Sequence, residues 1–479
     1  MYGIPPPPPS DPSFSSTAPH PNALAFARPL HSLQRILTEH QFCWIVAAAL
    51  LAWEAVVCAG VIHKVTYTEI DFRTYLQQVE VFLSGERDYS LFKGDTGPAV
   101  YPAGHIYAYS LLHRLTDGGK HLQRAQWVFA GVYVATMALV FAIYSKGRRV
   151  PPYALIFLTI SKRLHSLYVL RMFNDCIAMF FLYAAVCMYS TEGGSRREVG
   201  RRWIWGTLLF RCAFFKTGAR RDGGDADGAY IPTLLRSLAL SVKMSILLFL
   251  PALLYLLFVY HSPLTCFLHV ALLALSQALL ASPFLTTPSH ALAYLRQAFD
   301  FHRTFLWEWT VNWRWLGEDA FEDPVWSKVL LGAHAAALVL FASRWAEAEG
   351  GLSRVLARAW TRPGQAPAWG PLTAERTVTL LFTSNLVGVA CARSLHYQFY
   401  AWFAHQLVWL LWSATDFEPM QALVLTSLIE YGFHAFPSTV NSSLGLVISL
   451  LVVLVGIYYG RPVGEENPVE REGEKRKVE

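Results

Sequence analysis

FCWIVAAALLAWEAVVCAGVIH, residues 42–63, is an almost unbroken apolar run of the length that a membrane-crossing helix needs. Similar runs recur along the 479-residue chain. Hydrophobic types make up 54% of it and charged types 15%, whereas soluble globular domains average roughly 25% charged residues. This composition excludes a disordered chain, a collagen and an ordinary soluble enzyme. The sequence predicts an all-α, polytopic membrane protein.

Neither the charge balance nor the cysteines indicate a nucleic-acid-binding, disulfide-rich or zinc-binding protein. Lys and Arg number 40 against 34 Asp and Glu, a net charge of +6, which is too thinly spread for a nucleic-acid partner. The 7 Cys mostly lie within apolar runs without paired spacing. They are typical of small core residues and not of a disulfide or zinc framework.

The apolar runs divide the chain into three parts. Residues 1–41 are a Pro-rich tail that we expect to be disordered and cytoplasmic, 42–460 a single transmembrane domain, and 461–479 a charged cytoplasmic tail. We predict about twelve transmembrane helices. The candidate spans are 42–63, 125–144, 150–165, 176–190, 237–260 (one span or two short passes), 264–282, 326–343, 376–393, 397–413, 419–436 and 443–459.

Basic loops orient the spans, because Lys and Arg close to span ends stay in the cytoplasm. Such clusters follow the spans at 125–144, 176–190 and 326–343. Placing all three inside puts the loops 64–124 and 283–325 on the luminal side and both termini in the cytoplasm. Residues 99–115 are apolar but contain Pro, Gly, His and Arg. We predict an amphipathic helix in the outer membrane interface there.

Residues 211–236 interrupt the hydrophobic pattern with a polar, Gly-rich sequence. Joining Phe210 directly to Ser237 gives one short span that ends at Lys243 and restores the orientation of the later spans. We interpret 211–236 as an insertion into a membrane helix, of the kind that retained intron sequence produces. The alternative is a natural cytoplasmic loop between two half-hydrophobic segments.

Polar residues from separate stretches gather at the predicted outer face of the membrane. Charges at a membrane boundary are costly and often functional. The candidate site residues are Glu69, Asp71, Arg73, Asp95, His165, Arg171, Asn174, Asp175, Lys243, Trp309, Asn312, Arg314, Arg393 and His396, with Tyr101, Tyr397 and Gln398 beside them.

These residue types suit a lipid-linked sugar phosphate as substrate. A carboxylate can take a proton from an acceptor hydroxyl. Arg, Lys and His bind phosphate through charge-assisted hydrogen bonds, and Trp and Tyr faces stack on sugars or line a lipid tail. GxxxxGK[ST], GxGxxG and HExxH are absent from the sequence, which argues against a soluble nucleotide donor.

Each candidate also has a purely structural interpretation. The acids at 69 and 71 would simply be solvated, and the histidines at 165 and 396 would be packed in the core. The arginines at 171 and 393 would extend to the lipid headgroups, and the Trp cluster at 307–315 would form an aromatic belt. Asp175 would cap a helix.

Seven motifs resemble one family. The sequences YTEIDFRTY, GDTGPAVYPAGHIY, LHSLYVLRMFND, SVKMSILLFLP, WTVNWRW, LFTSNLVG and ARSLHYQFYAW are similar to those of the dolichyl-phosphate-mannose-dependent α-1,3-mannosyltransferases of the lipid-linked oligosaccharide pathway. The resemblance covers roughly residues 40–460 and implies the glycosyltransferase C superfamily, an endoplasmic reticulum membrane location and a luminal active site.

The resemblance also implies substrates and roles. Mannose would pass, with inversion, from dolichyl phosphate mannose to the five-mannose dolichyl-pyrophosphate oligosaccharide, and neither a metal nor another cofactor is expected. Asp71 matches the catalytic base, although Phe72 stands where the family usually has Trp. Arg171, Lys243, Arg393 and His396 are the candidates for the phosphate. A sister dolichyl-phosphate-sugar transferase and a membrane transporter are the alternatives.

The C-terminal tail carries a further motif. Lys475 and Lys477 form a KxKxx pattern that resembles a dilysine retrieval signal, although a merely solvated charged tail explains it equally well. The sequon at Asn441 falls on the luminal side of this topology but lies close to the last span, so we do not count on its glycosylation.

Overall fold

The computed structural model describes residues 31–147, 149–190, 230–300, 305–364 and 372–460. In these ranges the chain is overwhelmingly helical, which confirms the predicted all-α class. The strands within them are β1 (Lys93–Gly94) and β2 (Gly97–Pro98), an antiparallel pair in which Lys93 faces Pro98.

The α-helices follow one another through the described ranges. They are α1 (31–38), α2 (Cys43–Lys64), α3 (Phe72–Leu83), α4 (Ala103–Leu115), α5 (Leu122–Tyr144), α6 (Lys162–His165), α7 (Asn174–Tyr189), α8 (Tyr230–Val242), α9 (Leu250–Tyr260), α10 (Pro263–Ala281), α11 (Pro288–Ala298), α12 (Glu318–Glu322), α13 (Pro324–Trp345), α14 (Leu352–Thr361), α15 (Ala374–Ala390), α16 (Ala404–Ser413), α17 (Pro419–His434) and α18 (Val440–Tyr459).

Shorter helical turns connect them. A π-helix covers Ser166–Leu170, and 3-10 turns cover His40–Phe42, Tyr89–Leu91, Pro152–Leu158, Met244–Phe249, Ser282–Phe284, Trp307–Trp309, Ala346–Glu349 and Tyr397–Trp402.

Five helices of the described ranges are long and apolar enough to cross a membrane, namely those that contain α2, α5, α10, α13 and α18. A sixth arises if the bent pair Lys162–Leu170 and Asn174–Tyr189 is one span. These helices mark a membrane protein. The larger number of about twelve spans stays a prediction.

Two predicted spans are broken rather than straight. The span predicted at 150–165 begins as a 3-10 turn after Pro151, continues through α6 and the π-helix, and meets α7 at a bend of 109°. The chain turns at Met172, whose φ is 50°. The run at 237–260, for which the sequence left two short passes open, breaks at Lys243, whose backbone is extended. Both breaks place polar residues at helix ends.

The predicted helix at 99–115 is present as α4, which starts after Pro102. It packs against α3 and α8. A Cβ atom on Gly104 would come within 2.0 Å of the Ser241 hydroxyl oxygen, so α4 can approach α8 this closely only with glycine at this position. The structure thereby connects the first loop to the helix that ends at Lys243.

Part of the predicted N-terminal tail and part of the predicted insertion are helical. Residues 31–38 form α1 although we expected a disordered tail through 41. Arg35 and Glu39, one helical turn apart, form an ion pair there. Residues 230–236 of the predicted insertion begin α8, where Thr233 and Arg236 are buried. Residues 211–229 lie outside the described ranges.

Candidate active site

Asp71 is positioned by the start of α3, where it is the residue that immediately precedes the helix. Glu69 caps this helix, because its carboxylate accepts a hydrogen bond of 3.1 Å from the backbone N–H of Arg73. The hydroxyl of Tyr67 donates to the other oxygen of Glu69 at 2.5 Å. Glu69 therefore orders the backbone that presents Asp71, and it is itself exposed.

The hairpin of β1 and β2 covers one side of Asp71. The Thr96 hydroxyl donates to Oδ1 of Asp71 at 2.8 Å, and the backbone N–H of Thr96 donates to the Thr74 hydroxyl at 2.9 Å. A Cβ atom on Gly94 would lie 2.8 Å from Cα of Thr74. The hairpin therefore rests directly on α3, and this contact fixes one oxygen of the carboxylate.

The Tyr75 side chain approaches the other oxygen of Asp71. Its hydroxyl lies 3.4 Å from Oδ2, and its ring is buried edge-to-face against Tyr101, His105 and Tyr109. Burial, with the nearby Tyr101 and Asp71, raises the pKa of Tyr75 well above its usual range. The hydroxyl therefore stays protonated and donates, which leaves Asp71 as the proton acceptor.

Lys243 is the buried cation of the site. Its ammonium donates to Oδ2 of Asp175 at 2.7 Å and to Oδ1 of Asn174 at 3.1 Å. It also lies 4.8 Å from the centre of the Tyr101 ring. The second oxygen of Asp175 accepts the indole N–H of Trp402. An ammonium has three donors, so one remains beyond the two that Asp175 and Asn174 accept.

His105 connects this cation to the aromatic cluster. The side-chain amide nitrogen of Asn174 lies 3.3 Å from Nδ1 of His105, and because an amide nitrogen only donates, Nδ1 accepts and Nε2 carries the proton. Burial, with the charge of Lys243, lowers the pKa of His105 to about 3. The imidazole is therefore neutral at physiological pH.

The structure thus brings together five of the residues selected from the sequence, namely Asp71, Tyr101, Asn174, Asp175 and Lys243. The Tyr75 hydroxyl approaches Asp71, the Tyr75 ring packs edge-to-face on Tyr101, and Tyr101 lies 4.8 Å from the Lys243 ammonium. A half-buried carboxylate and a buried cation therefore lie on opposite sides of one aromatic cluster. This combination suits a hydroxyl nucleophile and an anionic leaving group.

Arg171, Arg393 and His396 are the other residues selected as candidates for the phosphate. Arg171 directly follows the π-helix and is half-buried, and Arg393 is half-buried with its guanidinium 5.9 Å from the Phe305 ring. Among the described residues neither forms an ion pair with a carboxylate. His396 stacks on Phe399 with a ring separation of 5.1 Å, and Phe399 is 5.4 Å from the Lys243 ammonium.

The other selected residues have structural contacts. Asn312 binds the carbonyl of Ala392 and the backbone N–H of Leu395. Arg314 donates to the carbonyls of Trp307 and Ser438. These bonds attach the loop 305–317 to the segment after α15 and to the start of α18. Asn312 and Arg314 therefore shape the site from outside the centre.

The remaining selected residues lie further out, and several match their structural interpretation. Arg73 and Asp95 form an exposed ion pair of 3.3 Å. The exposed residue Trp309 stacks loosely on Phe436, the Tyr397 hydroxyl donates to the carbonyl of Ala435, Gln398 is half-buried, and His165 is paired with Glu54.

The sequence analysis missed five residues that the structure places at or near the centre. These are Tyr75, Thr96, His105, Phe399 and Trp402. All five lie inside three of the motifs quoted above, namely YTEIDFRTY, GDTGPAVYPAGHIY and ARSLHYQFYAW, so membership of those motifs was the signal that could have found them. The analysis also missed Glu54, the one carboxylate inside the first span, although an acid at membrane depth is a signal in itself. In the ranges the structure describes, no three His, Cys, Asp or Glu side chains group as metal ligands.

Comparison with known proteins gives a consistent result. The model of the family described as "ALG3 protein" matches residues 48–443. No solved structure matches the chain significantly.

Curated relatives match over most of their length. A protein of Dictyostelium discoideum is 37% identical over 87% of this chain and 91% of its own, and is named a probable Dol-P-Man:Man(5)GlcNAc(2)-PP-Dol alpha-1,3-mannosyltransferase. Proteins named as that transferase in Mus musculus and Homo sapiens are each 38% identical, over 88% and 89% of this chain and the same shares of their own. With the family model covering most of its length and these relatives covering nearly all of it, the chain belongs to the ALG3 protein family.

Proposed function

We propose that this protein transfers mannose, in α-1,3 linkage, from dolichyl phosphate mannose to the five-mannose dolichyl-pyrophosphate oligosaccharide. Two observations support the proposal. The relatives carry this activity in their names, and the structure connects a half-buried carboxylate, Asp71, through the Tyr75 and Tyr101 rings to the buried Lys243. The second observation carries the chemistry, because an inverting transfer to a hydroxyl requires one base and a stabilised anionic leaving group.

The transfer follows from this arrangement. Asp71 takes the proton from the acceptor 3-hydroxyl while that oxygen forms a bond to C1 of mannose. The bond between C1 and the phosphate oxygen breaks, and its electron pair stays with the departing dolichyl phosphate. Attack from the face opposite the phosphate converts a β-linked donor into an α-linked product. A phosphate leaves without protonation, so one carboxylate is sufficient.

Several basic side chains are available to stabilise the phosphate. Arg171 and Arg393 have no carboxylate in ion-pair contact within the described ranges, so their charge is available to an anion. Lys243 is held by Asp175 and Asn174, and its third donor is assigned to a phosphate oxygen. His396 lies beyond Phe399 and reaches the leaving group only at the edge of the site. Trp and Tyr faces hold the sugars and the prenyl chain.

The proposed location is the endoplasmic reticulum membrane, with the site on the luminal face and both termini in the cytoplasm. The basic clusters after three of the candidate spans support this orientation. The loops 64–124 and 283–325 are luminal in this arrangement. Glycosylation tags inserted into these loops would be modified, and tags at the termini would not.

The decisive experiment compares the wild type with Asp71→Asn in purified, reconstituted enzyme. The amide keeps the shape of the side chain but accepts no proton, so turnover falls by at least about 10²-fold, while donor binding stays within about twofold. Asp117→Asn is the matched control, because Asp117 lies in the same loop and pairs only with the exposed Lys120 at 3.0 Å.

Three outcomes contradict the proposal. Asp71→Asn that retains more than about a tenth of the turnover removes Asp71 as the base. Wild-type enzyme that gives no six-mannose product from the five-mannose lipid removes the transfer itself. A product whose new linkage is not α-1,3 favours a sister transferase with another acceptor position.

A further inference from the structure

A buried pair of ionisable residues, Glu54 and His165, lies outside the centre that performs the transfer. Glu54 is in the middle of α2 and is fully buried, and His165 ends α6. The two side chains meet at 2.6 Å between Oε2 and Nε2, and Nδ1 of His165 lies 2.9 Å from the carbonyl oxygen of Ser161. A carboxylate inside an apolar span is costly, which makes Glu54 a candidate for a functional role.

The hydrogen bonds determine where the protons are. A carbonyl oxygen only accepts, so Nδ1 of His165 carries a proton. A bare Nε2 facing a carboxylate oxygen at 2.6 Å would be repulsive, so a second proton lies in that contact, on one partner or the other. The Tyr133 ring, 5.3 Å from the imidazole, and Cys58 help to enclose the pair. The contact is therefore directional and protected from competing water.

The pair connects the two halves of the candidate active site. Beyond Glu54, α2 ends at Lys64 and a short loop leads to Asp71. Beyond His165, the π-helix leads to Arg171 and then to Asn174 and Asp175, which hold Lys243. The Glu54–His165 contact is thus a direct side-chain bond between the element that precedes the base and the element that precedes the anion-binding groups.

A second carboxylate fixes the opposite side of the same segment. The Ser161 hydroxyl donates to Glu430 of α17 at 2.6 Å, and the Arg163 guanidinium donates to the carbonyl of Phe433 at 2.5 Å. The segment 161–170 is therefore held between α2 and α17. The Gln126 amide of α5 also donates to the carbonyl of Val169 at 3.1 Å. Among these side-chain bonds, the one to Glu54 joins the segment to the helix that leads to Asp71.

We propose that Glu54 and His165 are positioning residues that set the placement of Arg171 and of the Asn174–Asp175–Lys243 centre relative to Asp71. This inference rests on the proposed function, since it concerns the same transfer. Neither residue touches the reacting atoms. Their hydrogen bond keeps the two halves of the site in register while the substrates bind.

The first test compares Glu54→Met with Glu54→Gln in full-length reconstituted enzyme. Methionine has a similar length but makes no hydrogen bond, so we expect kcat to fall about ten- to hundredfold, as for a small displacement of catalytic groups. The KM for the acceptor lipid stays within about twofold. Glutamine donates its amide N–H to Nε2 of a neutral His165, so it retains kcat within about threefold.

A second pair of variants serves if Glu54→Met does not fold. His165→Gln places an amide nitrogen near the position of Nε2 and keeps the bond to Glu54, whereas His165→Asn keeps a donor near Nδ1 and loses that bond. We expect the asparagine variant to have the lower kcat.

The matched control for Glu54→Met is Glu349→Met, because Glu349 is also a buried carboxylate. It pairs with Arg376, where α9 ends and α15 begins. The Glu349→Met change lowers the melting temperature without lowering kcat.

The outcomes separate this inference from the proposed function. An inactive wild type contradicts the function. An active wild type in which Glu54→Met or His165→Asn retains kcat within about twofold contradicts the positioning role, even if the melting temperature falls. Equal loss of kcat in Glu54→Met and Glu54→Gln also contradicts it, because the hydrogen bond would then be irrelevant.

Discussion

At the residue scale, the environment of Asp71 distinguishes it from the other acids of its loop. Both of its oxygens face hydroxyl donors, Thr96 at 2.8 Å and Tyr75 at 3.4 Å. Glu69, two residues earlier, is occupied in capping α3. The sequence alone does not distinguish these two acids. Their hydrogen-bond partners do, because they assign Glu69 to the helix cap and leave Asp71 as the proposed base.

Tyr75→Phe tests whether the Tyr75 hydroxyl orients the Asp71 carboxylate. The bond is long at 3.4 Å, so its removal costs about 0.5 kcal/mol, the low end for a hydrogen bond, and lowers kcat by about two- to threefold, since the carboxylate is less firmly oriented. Tyr107→Phe is the control, because the Tyr107 hydroxyl donates to the carbonyl of Leu280 and not to Asp71, and it leaves kcat unchanged. Equal kcat in both variants would show that Tyr75 has no part in orienting Asp71.

His105 predicts a pH dependence of stability. Its pKa falls from 6.5 to about 3 on folding, so the unfolded chain binds a proton between these values and the native state does not. The native state therefore loses stability as the pH falls from about 6.5 toward 3, by up to about 1.4 kcal/mol per pH unit.

Melting temperatures measured from pH 7 to pH 4.5 check this expectation. His105→Gln removes the titrating group and flattens the dependence relative to the wild type. His113→Gln, on the same helix but paired with the partly exposed Glu80, serves as the control. Parallel curves for wild type and His105→Gln would exclude His105 as a source of the pH dependence.

At the element scale, the active centre depends on the hairpin of β1 and β2 and on the breaks in two helices. Sequence patterns located the segments and already ended one short span at Lys243, but they did not give the bend between the spans at 150–165 and 176–190. The breaks lie where the chain turns at Met172 and where Lys243 is extended. They direct Asn174, Asp175 and Lys243 toward one another, which straight helices would not do.

Gly94→Ala tests the hairpin. The added methyl group would lie 2.7 Å from the Gln77 amide oxygen and 2.8 Å from the Thr74 Cα atom, and backbone atoms give way with difficulty. The hairpin shifts, Thr96 loses its place beside Asp71, and the protein is destabilised by about 1–3 kcal/mol. Both kcat and the melting temperature therefore fall.

Gly131→Ala is the control for this substitution, because a Cβ atom there meets no atom within 4 Å and alanine favours a helix. It leaves kcat unchanged. Wild-type kcat in Gly94→Ala would mean that the hairpin is not needed to position Asp71.

At the scale of the whole molecule, α8 bears on the interpretation of 211–236 as an insertion. Arg236 is buried, and its best polar contact among the described residues is a bond of 3.4 Å to the carbonyl of Ile246. A buried guanidinium without a carboxylate is costly. Joining Phe210 to Ser237 replaces the sequence TLLR at 233–236 with TLLF from 207–210. Thr207 then takes the place of Thr233, and Phe210 that of Arg236.

We therefore expect the variant lacking 211–236 to express and melt at least as well as the full chain and to retain activity. The threonine bonded to Tyr189 and His269 is kept, and the buried charge is removed. Thr207→Val in the shortened chain is the control for register, and it lowers the melting temperature. A shortened protein that is unstable or inactive would identify 211–236 as a genuine part of the enzyme.

The sequence by itself determined the class of the protein and selected Asp71 as the candidate base. Apolar runs report burial in lipid wherever they occur, and Asp71 follows the first span within a few residues, so local information was enough. The motifs around Asp71, Asn174 and Lys243 likewise identified the family that the comparisons then showed.

Only the tertiary structure decided which side chains meet. Lys243 contacts Asp175, Asp175 contacts Trp402, and Glu54 contacts His165 across large separations in the chain. Such contacts depend on how broken helices cross and pack, and neither residue type nor spacing reports that geometry. The sequence therefore supplied a list of polar candidates, and packing divided it into a catalytic centre, surrounding cations and structural anchors.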